Sequence, residues 1–328
     1  MTPKMTIMSP LPRLLVTRRL PEAVLARAAR DYDAVLNPQD QLYDAAELKR
    51  RCQDVDGALV CLSEKFNADV IGALPSRFRI LSTFSVGTDH IDLVAARARG
   101  LRVGNAPHGV TIATAEIAML LILGCARRAT EGQKLVADGK WVGWDPTFML
   151  GRRLDGKALG ILGLGKIGQA LAARARAFDM VIHYHNRRRL PSAQEHGAVF
   201  HETAESLFGA ADILSINAPS TPETKHILRA ETIAWLKPGA IVINTARGDL
   251  VRDADLIAAL RSGRVGHAGL DVFEGEPRLN PGYLALPNVM LLPHMGSATI
   301  EARNQMGFEA LDNLDAFFAG RELLFPVV

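Results

Sequence analysis

Three polar segments in the last third of the chain contain residue types that together can reduce a carbonyl group. They hold Arg247, Glu276 and His294, and they begin at residues 244, 269 and 292. An arginine offers a planar fork that binds a carboxylate and polarises an adjacent carbonyl group. A histidine can donate a proton to the carbonyl oxygen, and a carboxylate bonded to the imidazole fixes its tautomer and favours its protonated form. We therefore predict that Arg247 binds the substrate, His294 is the acid–base residue and Glu276 orients His294.

Each of these residues alone has a plainer interpretation, as a structural histidine, a solvated arginine or a glutamate that starts a turn. Their position along the chain favours function, because each segment follows an apolar run typical of a buried strand. The carboxyl ends of parallel strands line the ligand crevice of a doubly wound sheet. We expect Asn217, residues 244–249, Asp271 and His294 to converge there.

A glycine-rich stretch begins the part of the chain that contains these segments. Gly163, Gly165 and Gly168 have the G-x-G-x-x-G spacing between an apolar run at 158–162 and a stretch with helical spacing. A second apolar run at 180–184 completes a βαβ unit. In a dinucleotide site the first glycine makes the turn, the second lets backbone N–H groups approach the pyrophosphate, and the third lets the helix pack closely on the strand. The helix N-terminus adds partial positive charge.

The residues after the second strand of this unit indicate which dinucleotide is bound. An NAD site carries Asp or Glu there, whereas this chain has Asn186 followed by Arg187, Arg188 and Arg189. Guanidinium groups bind phosphate, and an acid at this place would repel the 2′-phosphate of NADP. A solvated basic loop or a nucleic-acid patch would be the ordinary interpretation of an arginine triplet, but the position at the strand end favours NADPH.

Composition limits the remaining possibilities. With 328 residues, 48% of them hydrophobic, the chain can form two domains, and a net charge of +3 does not suggest a nucleic-acid partner. Three cysteines without metal-ligand spacing predict neither a metal site nor disulfides, and they favour a reducing cytoplasm. The stretch 1–12 lacks the apolar core of a signal peptide, and the apolar run at 117–125 is too short to span a membrane.

The first third of the chain alternates apolar runs with helical stretches, which predicts a second α/β layer structure. The predicted strands lie at 14–16, 57–62, 80–84 and 101–103, and the predicted helices at 21–30, 44–52, 68–74 and 91–99, the last of which ends at Gly100. Residues 111–138 predict one long helix. A final helix at about 299–319 has an apolar face that we expect to pack on the first domain.

These motifs, in this order, resemble the D-isomer-specific 2-hydroxyacid dehydrogenases, and within them most of all the glyoxylate/hydroxypyruvate reductases. The resemblance runs from about Leu14 to the C-terminus and rests on residues 84–91, 114–116, 163–168, 244–248, 269–277 and 293–299. It implies an α/β fold with two doubly wound parallel-sheet domains. A Rossmann domain at 108–296 would bind NADP, and a flavodoxin-like substrate-binding domain would be built from both chain ends, 1–107 and 297–328.

The resemblance also implies roles for single residues. The catalytic set is Arg247, Glu276 and His294, and the backbone amides of Val86 and Gly87 would bind the substrate carboxylate. To the cofactor residues predicted above, Gly163, Gly168, Asn186, Arg187 and Arg188, it adds contacts from Thr114, Gly165, Lys166, Ile167, Pro219, Thr245, Asp271 and Gly296. Trp144, in a loop with Trp141 and Phe148, would cap the substrate pocket of the partner in a homodimer. Asn217 stands where a histidine is frequent, which leaves one cofactor contact open.

Three functions remain open on this basis. The first is NADPH-dependent reduction of glyoxylate and hydroxypyruvate to D-2-hydroxy acids. The second is reduction of a larger 2-keto acid, sugar-derived or aromatic, because the motifs fix the reacting centre and not the far wall of the pocket. The third is a dinucleotide-sensing protein similar to the corepressors of the same family, against which the absence of obvious peptide-docking or DNA-binding additions argues.

Overall fold

The computed structural model describes residues 11–328, so the expectation for residues 1–12 lies almost wholly outside the described part. The chain divides into two compact units. One contains residues 11–110 together with Ala298–Val328, and the other is Thr111–Ser297.

Twelve strands and twelve α-helices are formed by residues 11–328. The strands are β1 (Arg13–Val16), β2 (Asp33–Val35), β3 (Gly57–Val60), β4 (Ile80–Thr83), β5 (Arg102–Gly104), β6 (Ala158–Leu162), β7 (Val181–His185), β8 (Val199–Phe200), β9 (Ile213–Ile216), β10 (Ala240–Asn244), β11 (Val265–Leu270) and β12 (Val289–Leu291). The helices are α1 (Glu22–Asp31), α2 (Ala45–Arg51), α3 (Ala68–Gly72), α4 (Leu93–Arg99), α5 (Val110–Ala126), α6 (Ala129–Ala137), α7 (Lys166–Arg176), α8 (Ser192–Glu195), α9 (Ala204–Ala210), α10 (Ala230–Ile233), α11 (Asp253–Ser262) and α12 (Ile300–Phe318).

The first unit is a five-stranded parallel sheet in the order β2-β1-β3-β4-β5. Every residue of strands β3 and β4 is buried, as expected for a sheet with helices on both faces. The four predicted strands and helices are confirmed within a few residues, and Gly100 ends α4 at φ 72°. Strand β2 was missed, because a three-residue edge strand has no apolar run of its own.

Helix α12 belongs to this unit, as predicted from its apolar face. Thr299 caps its N-terminus by accepting a hydrogen bond from the Ala302 amide at 3.1 Å, and Ala310 and Leu314 are fully buried. The helix packs on β3, β4 and α1. A guanidinium nitrogen of Arg27 on α1 lies 2.6 Å from Asp312, which fastens the two helices together.

The second unit is a seven-stranded parallel sheet in the order β12-β11-β10-β9-β6-β7-β8. Strand β6 matches its predicted bounds, and β6 and β10 are both buried along their whole length. The strand order reverses between β6 and β9, and open α/β sheets bind ligands at such a switch point, outside the carboxyl ends of the strands. The two-residue edge strand β8 was not predicted.

The prediction of one long helix over 111–138 is wrong. The chain breaks into α5 and α6, whose axes differ by 70°. Arg128 has φ 55°, a left-handed conformation that ends the α-helical run. At the break the Ala126 carbonyl, freed from its helical partner, accepts a hydrogen bond from the Arg152 amide at 2.8 Å.

Helix α5 is a core helix, with most of residues 117–125 buried in the second unit. Among residues 11–328 no single helix is long and apolar enough to cross a membrane. Only the bent pair α5 and α6 reaches that length and composition together.

Candidate active site

The turn after β10 presents Arg247. The buried side chain of Asn244 shapes this turn, because its oxygen accepts a hydrogen bond from the Ala246 amide at 3.0 Å and its nitrogen donates one to the Arg247 carbonyl at 2.8 Å. A guanidinium nitrogen of Arg247 donates to the Ala246 carbonyl at 2.8 Å. The arginine is thus held, partly buried, at the carboxyl end of the sheet.

Glu276 and His294 are joined across two different loops. Imidazole Nδ1 of His294 lies 2.7 Å from Oε2 of Glu276, and Oε1 of the same carboxylate accepts a hydrogen bond from the Phe273 amide at 2.8 Å. Burial tends to raise the pKa of Glu276, but the hydrogen bond and the charge of His294 outweigh it and hold the pKa below its usual range, with a smaller contribution from Arg247. The carboxylate is therefore ionised, and imidazole Nε2 remains the atom that can face a ligand.

Asp271, directly after β11, holds the loop that contains His294. The two carboxylate oxygens of this buried residue accept hydrogen bonds from the amides of Met295 at 2.8 Å and Gly296 at 2.7 Å. Burial raises the pKa of Asp271, although these amides oppose the rise. Thr114 on α5 donates its hydroxyl to the Gly296 carbonyl at 3.2 Å. Three residues that the resemblance marks as cofactor contacts thus lie together.

His294 itself has φ 53°, a conformation that few residues other than glycine adopt. The amides bonded to Asp271 directly follow it, and its own amide donates to the Leu292 carbonyl at 3.1 Å. Strained backbone held by its surroundings is frequent at functional sites. The loop therefore fixes the direction of the imidazole before any ligand arrives.

The glycine turn between β6 and α7 has the geometry of a phosphate-binding turn. Gly163 has φ 98°, and a Cβ there would come within 2.8 Å of the Ala218 nitrogen. A Cβ on Gly168 would lie 2.5 Å from the Gly163 carbonyl oxygen, so α7 needs this glycine to pack on the strand. A Cβ on Gly165 would meet no atom within 4 Å. This glycine therefore borders open space just before Lys166 and Ile167, the first residues of α7, of which Lys166 is exposed.

The three arginines after β7 differ in their surroundings. Arg187 and Arg188 are exposed. Arg189 instead binds Glu195, with nitrogen–oxygen distances of 2.8 and 3.1 Å. Glu223 has a lowered pKa, for which the Thr221 hydroxyl is the largest cause and the charge of Arg187 a smaller one, so this guanidinium lies near the loop that follows Pro219.

The sequence of this chain is similar to those of known dehydrogenases and reductases. The family model for the D-isomer specific 2-hydroxyacid dehydrogenase, NAD binding domain, matches residues 119–296. The glycerate dehydrogenase of Hyphomicrobium methylovorum is 49% identical over 96% of this chain and 98% of its own length. The glyoxylate reductase of Thermococcus litoralis is 39% identical over 94% of each chain.

The chain belongs to the D-isomer specific 2-hydroxyacid dehydrogenases.

A solved structure in the same family is the NADPH-dependent glyoxylate/hydroxypyruvate reductase of Sinorhizobium meliloti in complex with NADP and malonate. It is 35% identical, covers 97% of both chains and superposes with a TM-score of 0.86. The dehydrogenase described here is therefore an oxidoreductase with the two parallel-sheet α/β domains of its family.

A nicotinamide dinucleotide fits the residues that this dehydrogenase presents. The hydroxyl oxygen of Thr245 is buried and has no hydrogen-bond partner among residues 11–328, at the end of β10 where a cofactor contact is expected. The described residues thus leave the Thr245 hydroxyl without a partner and the space at Gly165 open, and a bound cofactor can use both. Asn217 instead bonds to its own strand, where Ser215 donates to its side-chain oxygen at 3.1 Å.

In the first unit of the dehydrogenase, side chains hold the turn that contains Val86 and Gly87. The Ser85 hydroxyl donates to the Gly87 carbonyl at 2.7 Å, and the Asn105 amide donates to the Val86 carbonyl at 2.8 Å. The Thr83 hydroxyl lies 2.8 Å from that of Ser85. Sequence reasoning missed Asn105, because nothing in the spacing connects the ends of β4 and β5.

The loop after α6 is exposed in the single chain. Trp141 is 59% exposed, Trp144 83% and Phe148 43%. No side chain of α6 is buried either. The aromatic residues form an uncovered apolar surface of the kind that marks an interaction site.

Proposed function

We propose that this dehydrogenase reduces small 2-keto acids, glyoxylate and hydroxypyruvate, to D-2-hydroxy acids, with NADPH as the preferred cofactor. The observation that carries the proposal is the 2.7 Å contact between His294 Nδ1 and Glu276 Oε2 on the same sheet edge as Arg247 and the glycine turn. The names of the relatives, a glycerate dehydrogenase and glyoxylate reductases, support the class of substrate.

Each active-site residue has its own role in the proposed reaction. Arg247 binds the carboxylate of the keto acid and polarises its carbonyl group. The bound cofactor supplies a hydride to the carbonyl carbon. His294 Nε2 donates a proton to the carbonyl oxygen, and Glu276 keeps Nδ1 protonated and the ring correctly turned.

The cofactor preference follows from the exposed pair Arg187 and Arg188. Among residues 11–328 no carboxylate lies within ion-pair distance of either guanidinium group, although the charge of Arg187 acts on Glu223. Guanidinium groups of this kind can bind the 2′-phosphate bidentately. Asn186 brings no negative charge to this place. We assign the pyrophosphate to the glycine turn and α7, and the nicotinamide end of the cofactor to Thr114, Thr245, Asp271 and Gly296. We also assign Pro219, in the loop after β9, to the residues that would contact the dinucleotide.

We also propose a homodimer in which Trp144 caps the substrate pocket of the partner. A tryptophan buries about 150–250 Å² when packed, so a second copy is a favourable cover for this loop. Because all three cysteines are free thiols, we place the dehydrogenase in a reducing cytoplasm.

The test is the oxidation of NADPH, followed by absorbance, against a panel of 2-keto acids. The panel runs from glyoxylate and hydroxypyruvate through pyruvate to sugar-derived and aromatic keto acids. We expect the highest kcat/KM for glyoxylate or hydroxypyruvate. A maximum with a large keto acid would replace the proposed substrate, and no turnover of any member would favour a dinucleotide-sensing protein.

A further inference from the structure

His226 connects two of the three segments that form the active site. Its backbone amide donates to the Asp249 carbonyl at 2.8 Å, two residues after Arg247. Its imidazole Nε2 lies 2.7 Å from Oε1 of Glu274, two residues before Glu276. One residue that belongs to neither segment thus holds both.

The backbone at His226 is itself firmly placed. It has φ 51°, in the left-handed region. A guanidinium nitrogen of Arg229 donates to the His226 carbonyl at 3.2 Å. Leu228 then forms a parallel bridge with Val251, and its amide donates to the Leu250 carbonyl at 3.0 Å. The backbone of His226 is therefore fixed beside the segment that follows Arg247, and its imidazole reaches Glu274 from there.

The loop that carries Glu276 contacts the segment after Arg247 on one side and borders a cavity on the other. Its backbone at Phe273 lies against Gly248, where a Cβ would come within 1.9 Å of the Phe273 carbonyl carbon. The cavity has a volume of about 520 Å³ and is lined among others by His226 and Glu274. The 2.7 Å contact between these two side chains lies at the cavity and joins the loop to the segment after Arg247.

We propose that His226 and Glu274 are positioning residues, which hold the loop so that Glu276 stays aligned with His294. The proposal rests on the roles of Glu276 and His294 in the proposed function. The Phe273 amide is bonded to Glu276 at 2.8 Å, so a displacement at Glu274 moves the Glu276 carboxylate with it. A misplacement of about 1 Å can reduce a rate by about 10²-fold.

The experiment is a double-mutant cycle in the full chain between His226→Asn and Glu276→Gln. Asparagine tolerates the left-handed conformation, but its amide ends near the level of imidazole Nδ1 and is too short for Glu274. His226→Gln and Glu274→Gln are the matched variants that keep a donor or an acceptor, and Glu274→Ala removes the acceptor. The measured quantities are kcat and KM for hydroxypyruvate, the Kd of NADPH and the melting temperature.

We expect His226→Asn and Glu274→Ala to lower kcat by about tenfold or more, toward the limit of about 10²-fold. The Kd of NADPH stays unchanged, and the two glutamine variants recover most of kcat. In the Glu276→Gln background the effect of His226→Asn falls below about twofold, because the carboxylate that it positions is gone.

Two results would overturn the inference but not the proposed function. The first is an unchanged kcat in His226→Asn. The second is the same fold loss of kcat from His226→Asn in the unmutated and Glu276→Gln backgrounds, which would mean that His226 acts on folding and not through Glu276. If the unmutated protein reduces no keto acid, the proposed function fails and the inference fails with it. If kcat of Glu276→Gln equals that of the unmutated protein, the role of Glu276 and the inference fail, whereas the reduction of keto acids stands.

Discussion

The side-chain oxygen of Asn186 accepts a hydrogen bond from the Leu164 amide at 2.7 Å, within the glycine turn. The residue that stands in place of the acid of an NAD site therefore supports the turn from the neighbouring strand. In the proposed function, the next two residues, Arg187 and Arg188, bind the 2′-phosphate. We therefore expect kcat/KM with NADPH to exceed that with NADH by more than tenfold, since charge-assisted hydrogen bonds contribute about 1.5–3 kcal/mol each.

The matched pair for this prediction is Arg187→Ala and Arg189→Ala. The first should raise KM for NADPH and leave NADH use unchanged. The second is the control, because Arg189 is bound to Glu195, and it should leave the ratio of the two cofactors unchanged. Equal efficiency of the unmutated protein with both cofactors would contradict the preference.

Replacement of the acid–base residue should abolish most turnover. His294→Ala should lower kcat by at least about 10²-fold, the lower end of what general acid–base catalysis contributes. Binding of NADPH, measured by fluorescence titration, should survive. His196→Asn is the control, because His196 is an exposed histidine that also has a positive φ, which asparagine tolerates. A fully active His294→Ala variant would refute the mechanism.

The pH profile reports the Glu276–His294 pair. Because the pKa of Glu276 is held below its ordinary value, its carboxylate stays charged throughout the neutral range, and any loss of activity from its protonation occurs only below about pH 4.5. In Glu276→Gln the imidazole loses the carboxylate that fixes its tautomer and its direction, so kcat for reduction should fall at pH 7, where Glu276 is charged in the unmutated protein. The same kcat in the two proteins would show that the carboxylate does not assist His294.

Acid stability should depend on Asp40 in the first unit. The Arg18 guanidinium, bonded to Asp40 at 2.8 and 2.9 Å, is the main reason that the pKa of this carboxyl falls to about 2. A lowered folded-state pKa stabilises the fold above the unfolded pKa, and this stabilisation disappears as the pH falls through the folded pKa. Asp40→Asn should lower the free energy of unfolding at pH 7 by about 1 kcal/mol, because the pair is partly exposed.

The difference between the two proteins should narrow as the pH falls from about 4 toward 2, which thermal unfolding over this range would measure. Asparagine tolerates the left-handed backbone of this position, so backbone strain does not confuse the comparison. A difference that persists at pH 2 would mean that the ion pair is not its source.

From the exposed loop that contains Trp144 we predict both the oligomeric state and the range of keto acids that are reduced. Trp144→Ala should raise activity on larger keto acids relative to glyoxylate, and it should change the Kd of NADPH less. Sedimentation should show a dimer of the unmutated protein. Phe178→Ala is the control, because Phe178 is an exposed aromatic residue outside this loop. A monomer, or the same substrate profile in Trp144→Ala, would contradict the assigned role.

The sequence alone was enough to predict the two α/β layers, most strands of both sheets and the return of α12 to the first unit. These features are local: buried strands are continuous apolar runs, and α12 has an apolar face at helical spacing that α/β packing must cover. The glycine spacing likewise marked the turn before α7, since Gly163 and Gly168 stand where a Cβ would collide. The three polar segments were found for the same reason, because each directly follows a strand.

Only the tertiary structure decided the features that depend on distant partners. The edge strands β2 and β8 form because a neighbouring strand offers hydrogen bonds, and the break at Arg128 is stabilised by the Arg152 amide. The contact of Asn105 with Val86 joins residues that are 19 positions apart, and the contact of His226 with Glu274 joins residues 48 apart. A pairing across such a loop leaves no periodicity in the chain, because its energy comes from groups that meet only after the sheet has formed.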